Sequence, residues 1–224
     1  MMKVCRMQYK AAIFDMDGLL IDSEPLWQEA GIETLSGFGI KLTLEQYHTS
    51  TGLRTAEWVA HWFRQYAVSQ DHAAEAIDTI IRKAIEKIAA AGVALPGSME
   101  ILQFFKNNNI LTGLATSSPM SLVDVVVDKL QIRHYFKVMS SAEHLPYGKP
   151  HPQVFLDCAG ALGVLPEDCI VFEDSFNGLI AAKAAKMKCV VVPAREQSSH
   201  PRWSAADLKL TTLEEFTDET LMKL

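Results

Sequence analysis

From residue 98 onward the chain alternates between helical stretches and short apolar runs, and that alternation limits its fold more than any other feature. "SMEILQFFKNN" has helical spacing and leads into "ILTGLAT", residues 110–116. A helical stretch from about Ser121 to Leu130 precedes "KVMSSA", "PQVFLDCAGALG" precedes "CIVFE", and "FNGLIAAKAAKM" precedes "CVVVP". Short runs rich in Val and Ile, separated by helices of about ten residues or more, specify βαβ units and a parallel sheet buried on both faces. "YKAAIF", residues 9–14, reads as the first strand, and "ADLKL" as an edge strand before a final helix. Residues 22–92 carry no strand pattern. There "RTAEWVAHWFRQY" sets Trp58 and Trp62 four residues apart, and Ala73, Ile77, Ile80, Ile81, Ala84, Ile85 and Ile88 follow one helical face. Stripes of this kind are packing surfaces. The predicted fold is α/β: a Rossmann-like doubly wound parallel sheet core, residues 1–21 and 93–224, with an all-helical cap, residues 22–92, inserted after the first strand.

Composition narrows the function. With 49% hydrophobic residues in 224, a substantial core can be buried. The formal net charge is −6 and no Lys/Arg block stands out, which argues against an extended nucleic-acid footprint. No apolar run approaches the roughly 20 residues that span a bilayer, and Met1 to Gln8 lacks the apolar stretch of a signal peptide. Cys5, Cys158, Cys169 and Cys189 show no CxxC spacing, so reduced thiols in a cytoplasmic protein are expected, with Cys169 and Cys189 in buried strands; a monomer is the default expectation. The histidines form no HxxxH or Cys/His cluster, which disfavours zinc.

The first strand ends in "FDMDGLLIDSEP". In extended backbone, Asp15 and Asp17 project to the same side, into the crevice beyond the strand's carboxyl end where open α/β sheets bind ligands. Two adjacent carboxylates need a cation, or one must hold a proton. A hard ion such as Mg²⁺ meets the first need, and a protonated carboxyl can act as a general acid. Gly18 permits a sharp turn. DxD alone also caps turns; its place directly after an apolar strand favours chemistry. Three later strand ends contribute matching groups. Thr116 and Ser117 precede a helix start, a phosphate cradle as well as an ordinary cap. Lys149, between Gly148 and Pro150, is a restrained cation able to neutralise a phosphate and crowded carboxylates. Glu173 and Asp174 add an acidic step from which one side chain faces the crevice.

"DMDGLLIDSEP" resembles the first motif of the haloacid dehalogenase superfamily, in the branch with a helical cap after motif one. "DGLLIDSEPLW" and "PYGKPHPQVF" resemble its bacterial 2-deoxyglucose-6-phosphatase and hexitol-phosphatase subgroup. The resemblance runs over essentially the whole chain and implies Mg²⁺-dependent hydrolysis of a small phosphomonoester (a hexose, 2-deoxyhexose or hexitol phosphate) through an aspartyl-phosphate. It assigns Asp15 as nucleophile and Asp17 as general acid/base, with phosphate on Thr116, Ser117 and Lys149. It places the metal on Asp15, the Asp17 backbone carbonyl and Asp174, with Glu173 assisting. Specificity would come from the cap. Arg54, in "TGLR" (Thr51 to Arg54), is expected to reach sugar hydroxyls or phosphate, and Trp27 to pack on a sugar face; helix capping and cap packing are their plainer roles. Glu24 lies beside Trp27, and hinges are expected near residues 21–23 and 92–97. Asp17 disfavours dehalogenation. β-Phosphoglucomutase relatives carry a histidine twelve residues beyond the nucleophile, where this chain has Trp27, so a phosphosugar mutase is the nearer alternative. A phosphoacceptor module of about 120 residues is too small to account for this chain. A non-catalytic regulatory member is opposed by the intact motifs.

Overall fold

The computed structural model describes residues 9–50 and 53–224. Met1 to Gln8, including Cys5, and Thr51 and Gly52 of the "TGLR" segment lie outside the described residues. Six strands, β1 (Ala11–Phe14), β2 (Leu111–Thr116), β3 (Val138–Ser141), β4 (Cys169–Glu173), β5 (Lys188–Val191) and β6 (Leu208–Lys209), form one sheet in the order β3-β2-β1-β4-β5-β6. Every pairing is parallel. The first strand starts two residues later than "YKAAIF" suggests, and the edge strand β6 is only Leu208–Lys209.

Period-two burial explains the two-sided sheet. In β1, Ala12 and Phe14 join one apolar cluster while Ala11 and Ile13 join another. In β4, Ile170 and Phe172 divide from Cys169 and Val171 in the same way. The first face is covered by α5 (Ser98–Asn107) and α6 (Met120–Lys129), the second by α7 (Gln153–Leu162) and α8 (Phe176–Ala184). Phe14 and Phe172 stack with ring centroids 4.8 Å apart, and Phe105 and Phe216 close edge-on against Phe172. Cys158, Cys169 and Cys189 are buried and free of disulfides. Burial pushes the thiols of Cys158 and Cys169 up to about 12, so they behave as small apolar groups.

The chain winds outward from β1 through β2 to β3, then crosses back to β4 and out to β6. The switch point lies between β1 and β4, where the flanking crossovers part and leave a crevice at the strand ends. Phe14 is in register with Phe172, and Asp15 N–H donates to the Phe172 carbonyl (3.0 Å). Asp15 is therefore set beside Glu173 by strand pairing alone.

Between β1 and α5 the described chain is helical: α1 (Glu24–Gly37), α2 (Leu44–His48), α3 (Thr55–Gln65) and α4 (Ala73–Ala91). Trp58, Trp62, Phe63, Leu35 and Ile80 form a separate apolar cluster here. The buried stripe on α4 is Ala76, Ile80, Ala84 and Ile88; Ala73 and Ile81 sit at its half-exposed margin, so the face is rotated slightly from the sequence reading. Where the chain leaves and re-enters the sheet region, its two passes pair: Ile21 bridges Ala94 in antiparallel fashion, Asp22 N–H donates to Val93, and Leu95 N–H to Leu20. Among the described residues no helix is long and apolar enough to cross a membrane.

Asp207 ties the sheet's far edge together, accepting from Lys183 of α8 (2.6 Å), Lys188 (3.0 Å) and the Cys189 N–H (2.8 Å) of β5. Burial raises its pKa, but these donors outweigh that and leave it below the ordinary carboxylate value. The folded pKa is depressed, so this stabilisation is present above the unfolded pKa and is lost as pH falls through the folded one. Asp207→Asn should lower the melting temperature at pH 7 and shrink the gap to wild type as pH drops below about 4. Parallel thermal melts across pH 3–7 check this.

Candidate active site

Four segments meet at the switch point: the turn after β1, the β2–α6 turn, the loop before α7 and the β4–α8 turn. They line one cleft with Asp15, Asp17, Thr116, Ser117, Lys149 and Asp174, and its empty volume is ≈ 750 Å³ including space open to solvent. The opposite wall comes from the helical insertion, with Glu24, Trp27, Tyr47, Leu53 and Trp58.

Lys149 organises the floor. Its side chain is 2% exposed, and Nζ lies 2.6 Å from Glu173 Oε1, 3.0 Å from Asp15 Oδ1 and 3.1 Å from the Ala115 carbonyl. Burial works against its charge, yet the Asp15 and Glu173 carboxylates prevail and hold its pKa above the usual lysine value. The contact with Asp15 is an ion pair poorly directed for a hydrogen bond, so buried Asp15 Oδ1 keeps an unfilled acceptor site.

Glu173 is fully committed within the protein. Oε1 takes Lys149, and Oε2 accepts from the N–H groups of Asp174 (3.1 Å) and Ser175 (3.0 Å) and from the Ser175 hydroxyl (3.0 Å). Gly178 of α8 makes room for it, since a Cβ there would lie 1.8 Å from Oε1. Asp174 points into the cleft, and its pKa is raised well above the ordinary value by burial and then by the Glu173, Asp15 and Glu24 charges. Oxygens of Asp15, Glu173 and Asp174 lie within 4.8 Å of one another, a group able to hold a metal ion. The set is oxygen-only, anionic and short of countercharge, which fits a hard divalent cation. Gly18, at φ +72°, leaves the space that Asp174 fills; a Cβ there would sit 2.3 Å from Asp174 Oδ2.

Asp17 lies in the cleft, but its carboxylate is not in that metal group. It turns instead to three donors: Ser23 Oγ (2.7 Å) and Trp27 Nε1 (2.9 Å) on Oδ1, and Ser118 Oγ (2.6 Å) on Oδ2. Burial raises its pKa, with Asp15 adding to the shift, while Ser118, Ser23 and Trp27 oppose it. Ser117 Oγ lines the cleft and is buried without a partner. Thr116 Oγ1 accepts from Ser118 N–H (3.1 Å) and fixes the turn.

Two expected substrate contacts have other partners. Arg54 does not line the cleft: its guanidinium donates to the carbonyls of Ala142 (3.1 Å), Leu145 (2.5 Å) and Pro146 (3.3 Å) and pairs with Glu57. The loop after β3 turns three carbonyls toward the guanidinium and absorbs it. Trp27 does line the cleft, but its ring N–H is spent on Asp17. Ser23 and Ser118 were absent from the site read in the sequence. Ser23 carries a faint signal, four residues before Trp27 on the opening turn of α1; Ser118 carries none, because its neighbour across 101 residues is set by the fold. Glu24, pushed up to about 8 by burial and by Asp17, Asp15 and Asp22, is a further carboxyl facing the cleft.

A family profile described as a haloacid dehalogenase-like hydrolase matches residues 9–186. Hexitol phosphatase B of Escherichia coli (strain K12) is 42% identical over 216 residues, covering 96% of this chain and 97% of that protein. Fructose-1-phosphate phosphatase YqaB of the same strain is 31% identical over 190 residues, 83% of this chain and 97% of its own length. The crystal structure of β-phosphoglucomutase from Clostridium difficile superposes with a TM-score of 0.84 at 25% identity, over 96% of both chains.

Two helical glycines should respond oppositely to the same change. Gly178→Ala drives a methyl into Glu173 and should cost about 1–3 kcal/mol, displacing the carboxylate that holds Lys149. Gly160→Ala in α7, where a Cβ meets nothing within 4 Å, should gain about 0.5–1 kcal/mol. Urea unfolding of both variants reads the signs.

Proposed function

Because the chain belongs to the haloacid dehalogenase-like hydrolase family, we propose that it is a phosphatase of small sugar or sugar-alcohol phosphates, acting through a phosphorylated Asp15 with Mg²⁺ as cofactor. The observation that carries this reading is the convergence of Asp15, Asp174 and Lys149 on one cleft, with the unpartnered Ser117 hydroxyl also lining it. A dianionic phosphoryl group entering there meets a buried ammonium, a free donor and a carboxylate at attacking position. The hexitol and fructose-1-phosphate phosphatase relatives support a polyhydroxylated organic part.

The metal fit rests on the donor set: Asp15 and Asp174 offer oxygens, with Glu173, bonded to Lys149 and to the start of α8, beside them. When bound, Mg²⁺ supplies positive charge against the phosphoryl oxygens. Lys149 pairs with Asp15 and holds it aimed. Asp15 attacks phosphorus, the ester P–O bond breaks, and Asp17 gives its proton to the departing alkoxide. Asp17 then takes a proton from the water that hydrolyses the acyl phosphate, releasing inorganic phosphate and restoring both carboxyls. Thr116 and Ser117, at the turn entering α6, hold the phosphoryl oxygens. Residues 22–92 act as a cap that shields the intermediate and contacts the organic portion, joined to the core at the paired passes of residues 20–22 and 93–95.

The test is phosphate release from hexose, 2-deoxyhexose, hexitol, nucleotide and glycolate phosphates with Mg²⁺ or EDTA. Hexitol and hexose phosphates should lead, EDTA should abolish turnover, and Asp15→Asn should lower kcat by about 10³-fold or more while melting normally. Wild-type protein that releases no phosphate from any of them overturns the assignment.

A further inference from the structure

Resting on the phosphatase reading above, we propose that Trp27 is a positioning residue: its indole N–H holds Asp17 so that Oδ2, and not Oδ1, exchanges the proton with the leaving alcohol.

The argument begins with the first turn of α1. Ser23 is its N-cap residue and Trp27 lies four positions on, so both side chains face the same side of the helix start. Both donate to one oxygen, Asp17 Oδ1, at 2.7 and 2.9 Å. Ser118, at the β2–α6 turn, donates to Oδ2 at 2.6 Å. The three contacts are not equivalent. A serine hydroxyl rotates and either donates or accepts, so Ser23 and Ser118 tolerate a proton arriving on their oxygen. An indole N–H only donates. With Trp27 holding one lone pair of Oδ1 and Ser23 the other, Oδ1 is filled, whereas Oδ2 accepts from Ser118 alone and keeps a lone pair open. A proton on the carboxyl therefore resides on Oδ2, the oxygen on the Ser118 side, where the turn bearing Thr116 and Ser117 faces the phosphoryl site.

The ring itself cannot swing freely. Trp27 packs against the cluster of the sheet's first face and against the cluster of the helical insertion, wedged where the two meet. A donor held by packing on both sides points in one direction, which a mobile partner would not do.

The experiment compares Trp27→Phe, which keeps an aromatic wedge and loses the N–H, with Trp27→His, which keeps a ring N–H. Substrates are a hexitol phosphate, whose alkoxide must be protonated to leave, and p-nitrophenyl phosphate, whose phenolate leaves unaided. The ratio kcat/KM reports steps up to departure of the leaving group. Trp27→Phe should lower kcat/KM for the hexitol phosphate about 30-fold and that for the nitrophenyl ester by less than about threefold. Trp27→His should recover part of the loss, and in an Asp17→Asn background Trp27→Phe should add nothing. Equal losses on both substrates, or a full further loss without Asp17, would show that Trp27 serves packing or sugar contact and overturn the proposal while leaving the phosphatase assignment intact. Wild-type protein inactive on both esters removes that assignment and this inference together.

Discussion

A lysine ammonium sealed inside the protein between two carboxylates is the interaction on which the rest of the site depends. An isolated buried ammonium would cost several kcal/mol and would shed its proton. Lys149 keeps it because Asp15 and Glu173 lie within 3.0 Å. The converse also holds: Glu173, at 0% exposure, is tolerable only with that cation and the donors at the start of α8. Lys149 is the member the other two depend on. Removing it strands two carboxylates as uncompensated charge, a costlier change than losing an ordinary surface pair, whereas neutralising Asp15 leaves the Lys149–Glu173 pair balanced.

Charge arithmetic then explains why the site calls for a ligand. Asp15, Asp17, Glu24, Glu173 and Asp174 gather around one lysine, and the pKa values of Asp174 and Glu24 are driven upward, first by burial and then by neighbouring carboxylates. Such an arrangement is electrostatically unsatisfied by itself. A divalent cation would relieve it, and with that charge in place the cleft would accept an anion. Two glycines make the crowding sterically possible, Gly18 beneath Asp174 and Gly178 beneath Glu173, each occupying a point where a methyl would collide with the acid.

The sequence revealed the parts that obey local rules. Strand ends are legible because two-sided burial makes β1 and β4 continuous apolar runs, and a charge ending such a run at Asp15 or Glu173 stands out. The helical insertion is legible from its spacing. The partners of Arg54, Trp27 and Asp17 are not, because each lies on an element brought near by topology. Arg54 finds the Ala142 and Leu145 carbonyls 88 and 91 residues away, and Ser118 finds Asp17 across 101. A residue type tells what a side chain can donate; which acceptor it meets is decided by strand order. Arginine in a loop close in sequence to a cleft-lining residue invites a ligand role, and here loop carbonyls claim it first.

The redirected residues share a pattern. The opening turn of α1 supplies Ser23 and Trp27 to Asp17, while the opening turn of α3 supplies Arg54 and Glu57 to the loop just before Lys149, with Gly148 N–H donating to Glu57 (3.3 Å). Gly148 must lack a side chain, since a Cβ there would lie 2.7 Å from Arg54 Nε. The insertion therefore grips Asp17 at one helix start and the approach to Lys149 at another. Any displacement of α3 relative to the sheet breaks the second grip, and any displacement of α1 breaks the first. The helices that wall the cleft are thus joined to both Asp17 and the approach to Lys149, so the cleft's helical wall and its charged floor are set by the same pieces of backbone.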